Sequence, residues 1–153
     1  MKMKSRLLAA FVVFAAVAAI SAVQAAEGKS YGKGVTITQA TPLAEVMATP
    51  SAFEGKTLRV EGYVTAVCEE MGCWLALAPT QAKGDKSLII QVEHGVVVFP
   101  MSAKGQFAAA EGVVQRVGSP ESRAAAEEHA KQEGKSAADA GQWQIKATGA
   151  VLF

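Results

Sequence analysis

The chain has little of what most functions are built from. It holds two cysteines, two histidines and two tryptophans in 153 residues, so one disulfide at most is available. Charged residues make up 19% of it, aromatics 7%, and Lys and Arg form no cluster. A nucleic-acid surface needs a basic stripe, and a single-strand binder also needs stacking platforms. That class is therefore excluded. There is no Gly-x-Ser-x-Gly, no phosphate loop and no His-Glu-x-x-His, so no hydrolase or nucleotide motif is present. The expectation is a binding protein and not an enzyme.

What is present begins with an export signal. Lys2, Lys4 and Arg6 precede an apolar run from Leu7 to Ile20, and Val23-Gln24-Ala25 supplies a cleavage site. The run is short for a membrane span, which needs about 20 residues, and no cysteine follows it for a lipid anchor. Residues 1–25 read as a signal peptide and the destination as periplasmic or secreted. No stable membrane span is expected after cleavage. The rest carries 12 basic against 14 acidic residues and is long enough for one domain with a core.

Residues 26–41 read as an extended arm, with an edge strand expected around Val35-Thr36-Ile37. Thr41-Pro42 then suggests the cap and first position of a short helix ended by Pro50. From Leu58, alternation of period two predicts a strand with Leu58, Val60, Gly62, Val64, Ala66 and Cys68 on one face. Cys73, Leu75 and Leu77 share a face on its return. Further strands are expected at Leu88–Val92, Gln106–Val117 and Trp143–Phe153, the last with Trp143, Ile145, Ala147 and Val151 together. Trp74 falls on the outward face.

Gly62, Gly112 and Gly149 each interrupt a strand in a similar Gly-containing pattern. Glycine weakens a strand interior, so these positions suggest bulges or sharp bends, which a small closed barrel needs. Ser119, Pro120 and Glu121 start a helix that Gly134 stops. Its apolar face is Ala124, Ala125 and Ala130. The expected fold is all-β with a helical insert over about 119–141. It is a five-stranded OB-like Greek-key barrel over residues 42–153, with a β-sandwich as the alternative.

Chemistry concentrates in Cys68-Glu-Glu-Met71-Gly72-Cys73-Trp74. A hairpin there brings the two cysteines together. Three readings stay open. The cysteines form a structural disulfide, worth about 2 kcal/mol for so short a loop. They hold a soft metal ion, Cu(I) first and Zn(II) second, with Met71 and His94 as auxiliary ligands. Or they exchange disulfides, against which stand the hairpin context and the neighbouring Glu69 and Glu70. His129, mid-helix among charged residues, reads as solvated.

These residues carry a resemblance. Pro42-Leu-Ala-Glu-Val-Met, Gly55-Lys-Thr-Leu-Arg-Val-Glu-Gly-Tyr-Val, Val67-Cys68-Glu-Glu-Met-Gly72-Cys73-Trp74, and His94 with Phe99-Pro100 resemble domain-of-unknown-function family 4920. That is a family of small exported bacterial proteins. The likeness runs from Pro42 to Phe153, and its specific part is Cys-x-x-Met-Gly-Cys-Trp. It implies an exported OB-like domain, carries no established activity, and draws attention to Cys68, Met71, Gly72, Cys73, Trp74 and His94. The expected function is an exported module binding a metal ion or a cell-envelope protein. Copper or zinc is the implied cofactor, and a disulfide-stapled interaction domain without metal is the alternative.

Overall fold

The structure is a computed structural model that describes residues 27–153. The expected signal, residues 1–25, lies outside them. Six strands and two α-helices follow in the order β1 (Lys29–Gly32), α1 (Leu43–Ala48), β2 (Thr57–Val67), β3 (Trp74–Ala78), β4 (Leu88–Gln91), β5 (Phe107–Val117), α2 (Pro120–Gln132) and β6 (Gln142–Leu152). Among the described residues no helix is long and apolar enough to cross a membrane.

Five strands close into a barrel in the order β2-β3-β4-β6-β5, with β5 returning to β2. Neighbours are antiparallel except β4 and β6, which are parallel. This is the five-stranded OB-like Greek key. β2 serves two neighbours: residues 57–63 pair with β5, and residues 63–67 with β3. The strand bends at that handover, where Gly62 sits. A Cβ at Gly62 would lie 2.5 Å from the Ala78 carbonyl oxygen, so only glycine allows the close approach. Gly112 and Gly149 flank the register shift where β5 crosses β6.

The interior is apolar. Val46, Val60, Leu75, Leu77, Ile90, Val114 and Ile145 are fully buried, and no charged or polar residue is buried among those described. Each such side chain contributes about 1.5–3 kcal/mol of transfer free energy.

Two bulges change the expected faces. Thr65 is an extra residue between the Val64–Leu77 and Ala66–Ala76 pairs. Beyond it Val67, not Ala66 or Cys68, points into the core. In β6 the shift near Thr148 turns Ala150 and Leu152 inward and leaves Val151 half-buried. A bulge adds one residue and so reverses the alternation after it.

The arm also differs from expectation. Its strand is Lys29–Gly32, paired antiparallel with Gly149–Leu152 at the end of β6, and residues 35–37 form none. The Glu111 carboxylate holds that stretch instead, accepting from the backbone N–H of Thr36 at 2.6 Å and Ile37 at 2.7 Å. Those donors keep the Glu111 carboxyl below its usual range, Ile37 most strongly. Arg59 adds a bond to the Ile37 carbonyl at 3.0 Å. Thr41 does not cap α1; its N–H donates to the Arg59 carbonyl at 2.7 Å, and α1 begins after Pro42 with no side-chain cap.

Helix α2 starts as expected, with Ser119 Oγ accepting from the Ser122 N–H and Pro120 in the first turn. Its inward face is different. Ala124 and Ala125 are exposed, while Arg123, Ala126, Glu127 and Ala130 turn toward the barrel. Arg116 on β5 decides this. It pairs with Glu127 at 2.7 Å, donates to the Ala137 and Ala140 carbonyls, and lies over the Trp143 ring. A polar anchor, not an alanine stripe, sets the helix's rotation.

Candidate functional site

The loop between β2 and β3 spans residues 68–73, and its shape comes from backbone bonds. The Cys68 N–H donates to the Trp74 carbonyl at 3.0 Å and continues the β2–β3 ladder. The Gly72 N–H returns to the Cys68 carbonyl at 3.0 Å and closes a tight turn. Gly72 has φ +58°, and a Cβ there would lie 2.5 Å from the Phe99 carbonyl oxygen. That combination excludes other residues. The Phe99 N–H donates to the Gly72 carbonyl at 2.9 Å, and the Val92 N–H to the Cys73 carbonyl at 3.0 Å. The loop is therefore clamped from below by the β4 end and the segment before Pro100. Phe99 is itself buried and packs on Tyr31 of β1, with ring centroids 5.3 Å apart.

This frame brings the cysteines together. Their Sγ atoms are 3.7 Å apart and not bonded. They come together although Cys68 lies beyond a bulge, because Gly72 folds the chain back. Cys68 is half-buried and Cys73 is 6% exposed. The backbone N–H of Met71, helped by those of Cys73 and Glu70 and by the Cys73 thiol, holds the Cys68 thiol below its usual value against partial burial. Burial first, and then the neighbouring Cys68 sulfur, pushes the Cys73 thiol up. The Glu70 carboxylate adds to the rise at Cys73.

The other expected residues divide. Met71 sits on the loop and is 53% exposed. Trp74 starts β3 opposite Gln91, half-buried and outside the main core. His94 lies in an exposed turn beyond β4 and lines a separate groove of 420 Å³ with Glu93, Gln115, Gln144 and Lys146. Among the described residues no three His, Cys, Asp or Glu side chains gather into a metal-holding group, so His94 does not join the sulfurs. His129 is exposed and faces Glu133 at 3.7 Å.

Sequence reasoning missed the Val96–Met101 segment as part of the site. Val96, Val98 and Met101 are exposed there, and Val98 touches the Gly72 position. An unalternating Val-Val-Val-Phe-Pro run beside a turn was the available signal. It also missed a groove of 410 Å³ at the start of β4 and β6, walled by Met47, Pro50, Ile89, Val117 and Trp143.

The chain matches no protein-family model and no curated protein. Among solved structures it is similar to a DUF3299 family protein from Pseudomonas aeruginosa. That similarity is 13% identity over 84% of this chain and 89% of the other, with a TM-score of 0.38.

Proposed function

We propose that this chain is an exported binding module that holds a soft metal ion, Cu(I) first and Zn(II) second, between Cys68 and Cys73. One observation carries the reading: two unjoined sulfurs 3.7 Å apart on a loop fixed by backbone bonds. Two thiolates on one tetrahedral ion at about 2.3 Å stand about 3.8 Å apart. The sulfurs are already at ligand spacing, and soft thiolates favour soft ions. Met71, on the same loop, is the auxiliary ligand. His94 stands outside the proposed sphere. Two thiolates and one thioether leave a tetrahedral position free, which suits a carrier that passes its ion to a cell-envelope partner. Kinship with family 4920 is part of the same proposal and rests on the same element.

Titration of the reduced chain with Cu(I) and with Zn(II) tests this. One ion per chain is expected, and Cys73→Ser should abolish binding. Met71→Leu should weaken Cu(I) more than Zn(II); an equal loss counts against the thioether. His94→Ala should leave both affinities unchanged. A chain that binds neither ion contradicts the reading.

A second reading has its own support. Met71, Val96, Val98 and Met101 are each at least half exposed and lie on two loops that meet at Gly72. Exposed apolar surface of this kind marks interaction sites. With the cysteines bridged, the module would be a stapled interaction domain without metal.

A further inference from the structure

The two sulfurs differ in a way that metal holding does not require. Cys68 is half-buried and so partly open to solvent, whereas Cys73, just before β3, is 6% exposed. Bridging them means closing 3.7 Å to the disulfide length of about 2.05 Å. Exposed Met71 and Val98 flank the loop and offer apolar surface to an approaching protein.

We propose that Cys68 and Cys73 reduce a disulfide of a partner protein by exchange, with Cys68 as the attacking thiol and Cys73 as the resolving thiol. The Cys68 sulfur, having given up its proton, bonds to one sulfur of the partner's disulfide. The partner's S–S bond breaks, and its leaving sulfur takes a proton. The Cys73 sulfur, losing its proton, then attacks Cys68 Sγ. The Cys68–Cys73 bond forms, the mixed disulfide breaks, and the partner's second sulfur takes the second proton. Two electrons pass from this chain's dithiol to the partner's disulfide, which is the oxidant. The order follows from access, because Cys68 is the more exposed sulfur and buried Cys73 lies 3.7 Å from it. This activity uses the same cysteines as the metal reading and does not rest on it.

The test uses the reduced chain under chelator with oxidised glutathione as the probe, read by intact mass and peptide mapping. The unsubstituted chain should end as an internal Cys68–Cys73 disulfide with no glutathione attached. Cys73→Ser should stop with one glutathione on Cys68. Cys68→Ser should react about tenfold more slowly or slower still. Stable adducts on the unsubstituted chain, first attachment at Cys73, or a smaller gap for Cys68→Ser overturns the proposal. If either variant fails to fold, limiting N-ethylmaleimide on the unsubstituted chain decides instead. Labelling of Cys68 should exceed that of Cys73 about tenfold, and comparable labelling overturns the proposal. A chain that binds Cu(I) but does not exchange loses this inference and keeps the metal reading; the reverse result does the opposite.

Discussion

The barrel carries two polar connections of opposite construction. The Cys68–Cys73 loop is short, and main-chain bonds to Trp74, Val92 and Phe99 hold it. The insert from Gly118 to Gly141 is long, and side chains hold it. Arg116 reaches Glu127 and two carbonyls, Asp139 accepts from the Ser51 N–H and hydroxyl, and Trp143 Nε1 donates to the Asp139 carbonyl. Main-chain bonds fix atoms to a frame that cannot change rotamer. Side-chain anchors hold a segment in place and leave its position adjustable. Chemistry that needs two sulfurs at a set spacing belongs on the first kind.

The largest expected effect strikes the rigid loop. Gly72→Val puts a branched side chain at φ +58° and into the Phe99 backbone. It should cost about 2 kcal/mol or more, seen in urea melts, and it should slow formation of the internal disulfide. A change in stability without a change at the thiols would mean that Gly72 does not set the sulfur spacing.

Next comes the anchor of the insert. Arg116→Ala leaves Glu127 and the Ala137 and Ala140 carbonyls without their donor and removes the cation over Trp143. About 1–3 kcal/mol is expected. Amide exchange should quicken across residues 120–141 and stay unchanged at Leu75 and Ile90. Altered thiol reactivity in this variant would break the separation of the two regions.

The arm gives a smaller, pH-dependent effect. The Glu111 carboxyl is depressed on folding, so its contribution is present above the ordinary glutamate range. It is lost as pH falls through the lower folded value. Glu111→Gln should cost about 1 kcal/mol at neutral pH and flatten the acid limb of the stability curve. A retained acid limb would assign that dependence to another carboxylate. Glu127→Gln should have the smallest effect, about 0.5 kcal/mol, because its carboxylate is partly exposed.

The same contrast decides what was legible in the sequence. Strand positions were legible because alternation reports burial on one face, and Leu58 to Val64 kept strict phase. Faces beyond Thr65 and Thr148 were not, since a bulge reverses parity without a distinct residue signature. Helix α2 announced its ends through Ser119, Pro120 and Gly134. Its rotation depended on Arg116, a residue on a different strand. The meeting of Cys68 and Cys73 was legible from spacing and Gly72. The amides around Cys68 and the Phe99 clamp were not, because backbone donors carry no letter in a sequence.

The most direct test of the account's centre is a thiol count with metal analysis on the chain purified from its native compartment. The metal reading predicts two free thiols and about one soft ion per chain. A quantitative Cys68–Cys73 disulfide with no metal would contradict it.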